Sequence, residues 1–214
     1  MAHSFGDVPF FCYFCIAVRP QVPLSFHIIR IMNPISLIHR YYASQPELEA
    51  LLLRHSRQVA GRALTIALSH PEWQLDLQFL YEAAMLHDIG ILHTDAPGIL
   101  CHGTEPYICH GRLGAEILRS EGLEGHARVA ERHTGTGLTA NQITERHLPL
   151  PALDYIPETL EEQLICYADK FYSKSHPEQE KTYAQALHSL QKFGQEGIRI
   201  FSSWHDRFES IHNS

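Results

Sequence analysis

The stretch AAMLHDIG, residues 83–90, places an adjacent histidine and aspartate, His87 and Asp88, at the end of an apolar run. The apolar pattern over residues 75–89 predicts a helix, and Gly90 follows it at the C′ position that favours glycine. Burying an ionisable pair is costly unless the pair is neutralised or bound to a metal. The stretch therefore predicts a helical core that contains a metal site.

Apolar residues recur at helical spacing on both sides of this stretch. Residues 46–69 carry them every three or four positions, and His55 lies on the apolar face. No segment alternates as a half-buried strand does, and residues 91–109 predict a long loop because they lack any period. The predicted fold class is all-α, with the later helices at residues 110–120, 124–133, 159–173, 178–193 and 195–211.

Six side chains of metal-ligand type fall at the ends or inner faces of separate predicted helices. Singly, each has an ordinary interpretation: His55 as a core histidine, His133 as a helix-end group, Asp169 as a paired carboxylate. Together, four imidazoles and two carboxylates are sufficient for two metals, with Asp88 as the bridge. Mixed nitrogen and oxygen ligation suits transition metals better than magnesium or calcium. The predicted ligands are His55, His87, Asp88, His110, His133 and Asp169.

Two basic residues near these ligands are candidates for contacting a phosphate. Lys170 follows Asp169 directly, and Arg112 lies two positions after His110. Adjacent helical positions point about 100° apart, so the alternative is that the Lys170 side chain faces solvent. The segment HTGTG, residues 133–137, fits either a backbone phosphate cradle or a helix end, and the 91–109 loop, with His93 and His102, fits either a lid or a structural connection.

Composition limits the partners that this chain is expected to bind. Lys and Arg total 17 against 24 Asp and Glu, which argues against long nucleic acid but not against a small phosphorylated ligand. Sixteen histidines favour metal binding. Five cysteines without a regular framework favour a reducing cytoplasm, and no apolar run is long enough to span a membrane. The oligomeric state is not readable from the sequence.

The order H…HD…H…H…D resembles the HD superfamily of metal-dependent phosphohydrolases, and within it the small HDIG branch. Related architectures are the symmetrical diadenosine tetraphosphate hydrolases and the HD-GYP phosphodiesterases, although the GYP signature is absent here. The resemblance implies a helical bundle in which His55, His87, Asp88 and Asp169 are core ligands, and His110 and His133 bring a second metal. The motifs that carry it are HDIG (87–90), HGRLGAEILRSEG (110–122), ERHTGTGLT (131–139), DYIPETLEEQ (154–163) and YADKFYSK (167–174).

The sequence pattern and the resemblance together predict a domain plan, and the resemblance implies a chemistry. Residues 32–176 are expected to form the HD domain and residues 177–214 a helical cap of the same domain. Residues 1–31 carry an apolar run but no basic n-region, and are expected to be an N-terminal extension of doubtful role.

The expected activity is hydrolysis of a phosphoanhydride or phosphoester in a small nucleotide or dinucleotide by a metal-activated water. Asp88, Lys170 and Arg112 are the predicted catalytic residues. One or two divalent transition metals are expected, iron or manganese by preference, with zinc, cobalt or nickel as alternatives. Two other functions stay open: a di-iron oxygenase, and a non-catalytic nucleotide-binding signalling module.

Overall fold

The computed structural model describes residues 32–210, so the expected extension at residues 1–31 lies outside the described part of the chain. Helices dominate the described residues, which confirms the all-α prediction. The helices are α1 Pro34–Tyr42, α2 Pro46–Ser69, α3 Leu77–Leu86, α4 His110–Ser120, α5 Glu124–Arg132, α6 Ala140–Glu145, α7 Leu160–Asp169, α8 Tyr183–Ser189 and α9 Gln195–Phe208.

The long helix α2 is the centre of the core. It packs against α1, α3 and α7, while α4 packs along α5. Its inward face is fully buried at Leu52, Val59 and Ala63, and His55 lies on the same face. The helical period of the sequence thus places His55 in the core, together with apolar residues that exclude water.

The C-terminal helices cover one side of α7. Phe201, Trp204 and Phe208 of α9 are buried, and Tyr167 of α7 packs against the rings of Phe201 and Phe208. Arg62 of α2 ties this region down through ion pairs with Glu180 and with Glu209. Within residues 32–210, no helix combines the length and apolar character that a membrane crossing requires.

Several helices are shorter than their apolar patterns predict. The helix predicted at residues 75–89 ends at Leu86, and the one predicted at 159–173 ends at Asp169. The helix predicted at 178–193 is reduced to α8 and a 3₁₀ turn, Gln191–Phe193. After Leu86 the chain stays buried through residue 91 although its backbone leaves the helix, so periodicity alone overestimates helix length there.

The C′ role predicted for Gly90 is wrong, since Gly90 lies inside a 3₁₀ helix, Ile89–His93. Glycine is needed at this position for a different reason. A Cβ at this position would overlap the carbonyl oxygen of His110 and the backbone nitrogen of Gly114. Gly90 therefore permits close contact between this turn and the first turn of α4.

The segment 91–109, predicted to be a loop without regular structure, contains a small sheet instead. The strands are β1 Thr94–Ala96, β2 Cys101–His102 and β3 Glu105–Pro106, in the order β2-β1-β3. β1 pairs with β2 antiparallel and with β3 in parallel. Strands of two or three residues are too short to show an alternating pattern, which explains why the sequence does not reveal them.

Candidate metal centre

The six predicted ligands come from the ends and inner faces of different helices. His55 lies within α2, His87 and Asp88 follow the end of α3, and His110 begins α4. His133 follows α5, and Asp169 is the last residue of α7. All six side chains are buried, and the two most deeply placed, His87 and Asp88, are 0% exposed.

The first group comprises His55, His87, Asp88 and Asp169, whose ligand atoms all lie within 4.8 Å of one another. His55 Nε2 is 3.0 Å from Asp88 Oδ2 and 3.0 Å from Asp169 Oδ1. His87 Nε2 is 2.8 Å from Asp88 Oδ2 and 3.6 Å from Asp169 Oδ1. Two imidazoles and two carboxylates thus converge on one point.

The second group comprises Asp88, His110 and His133. The Nε2 atoms of both histidines lie 3.4 Å from Asp88 Oδ1, and they are 3.0 Å from each other. Asp88 therefore directs Oδ2 toward the first group and Oδ1 toward the second. This is the arrangement of a bridging carboxylate.

Backbone carbonyls fix the orientation of three of the imidazoles. His87 Nδ1 donates to Ala84 O at 2.7 Å, and His133 Nδ1 donates to Ala130 O at 2.7 Å. His110 Nδ1 donates to Tyr107 O at 2.6 Å. A carbonyl can only accept, so Nδ1 carries a proton in each ring and Nε2 is the atom that faces the other ligands. Such contacts orient metal-binding histidines in many proteins.

The ligand atoms also fit a metal because most of their close neighbours are one another. Among the described residues, no contact with hydrogen-bond geometry reaches the buried atoms His55 Nε2, His87 Nε2 or either carboxylate oxygen of Asp88, although the ammonium group of Lys174 lies 2.5 Å from Asp88 Oδ2. Buried polar atoms of this kind are costly unless something binds them. A divalent cation between the imidazole and carboxylate atoms satisfies all four.

The histidines of the second group are held in the neutral form. Burial lowers the pKa of His110 to about 3, and the nearby His133 adds to the shift. Burial likewise lowers the pKa of His133, although Asp88 opposes this. With Nδ1 protonated, both Nε2 atoms carry lone pairs that face each other at 3.0 Å. A shared cation nearby removes that repulsion.

In the first group, the charges of neighbouring residues outweigh the effect of burial on the pKa values. Burial disfavours charge on His87, but the carboxylates of Asp88 and Asp169 outweigh it and raise its pKa to about 9. The pKa of Asp88 is well below its ordinary value, since the charges of His87 and Lys174 overcome the effect of burial. The carboxylates therefore stay ionised near neutral pH, as metal ligands must.

Of the two residues predicted to contact a phosphate, Lys170 lies beside the ligands and Arg112 does not. Lys170 Nζ donates to Asp169 Oδ2 at 2.6 Å and to His133 O at 3.0 Å, beside the ligands. Arg112 pairs with Glu116 and does not line the cavity next to the ligands. In the 91–109 segment, His93 and His102 are exposed and belong to neither ligand group.

Two further residues contact the site and were not singled out from the sequence. Lys174 Nζ lies 2.5 Å from Asp88 Oδ2, and the Tyr107 ring stacks on His110 with centroids 4.6 Å apart. The sequence only weakly indicates a role for Lys174 at the site, because this residue falls five positions after Asp169 in the YADKFYSK motif. Nothing in the sequence indicates a role for Tyr107, since this residue lies in a segment without a periodic pattern of apolar residues.

A cavity of about 550 Å³ opens beside the ligands. His110, His133 and Asp169 form part of its wall, and Thr134 and Gly135 of the HTGTG segment form another part. Gly135 and Gly137 have φ values of 65° and 100°, so this segment is a tight turn after α5. The volume falls in the range of small-molecule sites.

Comparison with known proteins gives a family match over the region that contains the ligands. The sequence profile of the HD domain matches residues 52–173. An uncharacterized protein of Methanocaldococcus jannaschii is 40% identical over 107 residues, which cover 50% of this chain and 56% of that protein.

Two tRNA (cytidine(56)-2'-O)-methyltransferases are also similar. The protein of Picrophilus torridus is 35% identical over 58% of this chain and 32% of its own length. That of Thermoplasma volcanium is 31% identical over 65% of this chain and 35% of its own length. The chain thus spans about half the length of the first relative and about a third of these two.

Among solved structures, the chain is similar to the HD domain of the L. monocytogenes phosphodiesterase PgpH. One structure of that domain has a TM-score of 0.48 at 18% identity, over 78% of this chain and 93% of the other. A second, in complex with cyclic-di-AMP, has a TM-score of 0.47 at 17% identity, over 87% and 95% of the two chains.

Proposed function

The chain belongs to the HD domain family, and on that premise we propose that it is a metal-dependent phosphohydrolase acting on a small nucleotide or dinucleotide. One observation carries the proposal: Asp88 directs one oxygen to His55 and His87 and the other to His110 and His133. This geometry supports a dinuclear centre beside a cavity of substrate size.

In the proposed centre, His55, His87, Asp88 and Asp169 hold one divalent ion, and Asp88, His110 and His133 hold the other. Iron or manganese is the proposed metal, since imidazole and carboxylate ligands suit both. When bound there, such ions would supply Lewis-acid chemistry that activates water and polarises the phosphoryl group.

The chain's own residues supply positive charge beside the proposed centre. Burial opposes the charge of Lys174, but Asp88 outweighs it and raises the pKa of Lys174 above its ordinary value. Asp169 raises the pKa of Lys170 in the same way. Both ammonium groups therefore stay protonated and are placed to stabilise negative charge that develops on a phosphoryl group. Arg112 lies outside this arrangement, so we assign the charge-stabilising role to Lys170 and Lys174.

The name of the two methyltransferase relatives does not extend to this proposal, because the chain matches only about a third of their length. We also propose a cytoplasmic location. Three cysteines of the described region, Cys101, Cys109 and Cys166, are free thiols buried in the fold, which suits a reducing compartment.

The test is metal analysis of anaerobically purified protein, coupled to a hydrolysis screen over nucleotides and dinucleotides in which chromatography identifies the nucleotide products and released phosphate. We expect bound iron or manganese, and hydrolysis that stops when a chelator removes the metal. His87→Ala should lose both, whereas His93→Ala is the matched control, because His93 is exposed and outside both ligand groups.

Two results would contradict the proposal. Tight nucleotide binding without turnover in metal-loaded protein would instead support a signalling module. Oxygen-dependent loss of an organic substrate without phosphate release would support an oxygenase built on the same ligands.

A further inference from the structure

Every lysine in the chain lines the cavity beside the ligands. The sequence contains four lysines, Lys170, Lys174, Lys181 and Lys192, and all four belong to the cavity wall. None of the arginines within residues 32–210 does so. The chain as a whole has a formal charge of -7, so this cavity concentrates positive charge against the overall balance.

The four lysines divide into an inner and an outer pair. The inner pair is neutralised by the ligand carboxylates: Lys170 Nζ lies 2.6 Å from Asp169 Oδ2, and Lys174 Nζ lies 2.5 Å from Asp88 Oδ2. The outer pair, Lys181 and Lys192, forms no ion pair with a carboxylate in the described part of the chain. Lys181 Nζ donates to the Lys170 carbonyl at 3.4 Å.

Backbone contacts hold the outer lysines in place. Lys181 N donates to Phe171 O at 2.8 Å, next to the end of α7. Lys192 O accepts a hydrogen bond from Arg146 at 3.2 Å, and its Nζ lies 5.1 Å from the centre of the Phe193 ring. The backbones of both lysines are thus held in place, and neither ammonium group is neutralised by a carboxylate in an ion pair within residues 32–210.

The electrostatics of Lys181 agree with this geometry. Burial lowers its pKa, Asp169 opposes that effect, and the charges of Lys170, Lys192 and Lys174 lower it further. Positive groups therefore repel one another across this wall. An anion bound between them relieves the repulsion, and the ammonium group of lysine commonly binds phosphate as a point charge.

We infer that Lys181 and Lys192 bind a second, uncleaved phosphate of the substrate. The inference rests on the proposed function, because it takes the scissile phosphate to lie at the metal ligands. It narrows the substrate class to compounds that carry two or more phosphates, such as nucleoside di- and triphosphates or dinucleoside polyphosphates. A nucleoside monophosphate leaves the outer lysines without an anion.

Calorimetric titration of the manganese-loaded protein with inorganic pyrophosphate and with orthophosphate tests the inference. We expect the wild type to bind pyrophosphate more tightly, and Lys181→Gln/Lys192→Gln to weaken pyrophosphate binding by about tenfold or more. Orthophosphate binding should change by less than about threefold, since it engages the metal centre alone. Arg199→Gln removes one positive charge from α9, at an exposed residue outside the cavity. This control should change neither pyrophosphate binding nor orthophosphate binding.

Equal loss of orthophosphate and pyrophosphate binding in the double variant would overturn the inference, as would a wild type without preference for pyrophosphate. Unchanged manganese content and circular dichroism show that the variant is folded. If no phosphate compound is hydrolysed while the lysine-dependent pyrophosphate preference persists, the proposed function fails and the second phosphate site stands.

Discussion

Asp88 is the residue on which the geometry of the site depends. Its two oxygens face different pairs of histidines, at 2.8 and 3.0 Å on one side and 3.4 Å on the other. His133, by contrast, faces the second group only. Substitutions at the two positions should therefore affect metal binding differently.

We predict that Asp88→Asn retains little metal, because the amide removes the negative charge that both groups share and replaces one of the two ligand oxygens with an NH2 group, which does not bind a cation. His133→Gln should retain close to one equivalent, held by His55, His87, Asp88 and Asp169. Metal content by mass spectrometry after gel filtration measures both. Equal losses in the two variants would argue against a bridging role for Asp88.

His126 provides a pH-dependent contribution to stability away from the ligands. Its Nε2 lies 3.2 Å from Glu82 Oε2, and burial lowers its pKa below 6.5 although Glu82 opposes the shift. The folded state therefore binds this proton less readily than the unfolded state does. The contribution of neutral His126 to the free energy of unfolding is present in full above about pH 6.5 and is lost as the pH falls below that value.

The expected result is a smaller pH effect in His126→Gln. Between about pH 7.5 and 5.5, the free energy of unfolding should fall less in the variant than in the wild type. Urea denaturation of both proteins at the two pH values isolates His126, since the other titrating groups cancel in the comparison. An identical pH dependence in the two proteins would show that His126 contributes nothing.

At the scale of helices and strands, the sequence predicted most of the helical segments, although not α6, and it did not predict where each helix ends. The apolar spacing around His55 belongs to a helix of many turns, so the signal is strong over α2. Beyond Leu86 the chain stays buried through residue 91, and beyond Asp169 Phe171 is buried, so the apolar pattern continues where the backbone has left the helix. The short strands of 94–106 depend on contacts with one another that no local pattern encodes.

The contact between the Ile89–His93 turn and α4 depends on Gly90. A methyl group there would overlap the His110 carbonyl oxygen, and backbone atoms cannot move aside cheaply. We predict that Gly90→Ala lowers the free energy of unfolding by about 1–3 kcal/mol, and that it weakens metal binding at His110 by displacing the start of α4.

Gly61→Ala is the matched control for this substitution. Gly61 lies within α2, and a methyl group added to it would meet nothing within 4 Å, so alanine should stabilise the helix by about 0.5–1 kcal/mol. Denaturant unfolding and metal content of both variants provide the measurement. A Gly90→Ala protein as stable as the wild type would mean that the turn and α4 separate easily.

At the scale of the whole molecule, the sequence predicted the composition of the site better than its surroundings. The six candidate ligands converge because each lies near the end or on the inner face of a helix, and apolar periodicity does reveal those helices although not their exact ends. Lys174 and Tyr107 reach the site through the turn after α7 and the segment before α4, whose paths depend on tertiary packing. The carbonyls that orient the imidazoles depend on helix-end geometry in the same way.

The ligands join α2 to the ends of α3, α5 and α7 and the start of α4, so a bound metal should stabilise the whole fold. A ligand that binds only the folded state at about 100 times its Kd adds about 2.7 kcal/mol. For a chain of this size, that corresponds to a rise of roughly 5–10 °C in Tm. Differential scanning calorimetry with manganese, and then with excess chelator, measures the shift. Asp88→Asn should show almost none of it, and an equal rise in that variant would mean that manganese binds elsewhere on the protein.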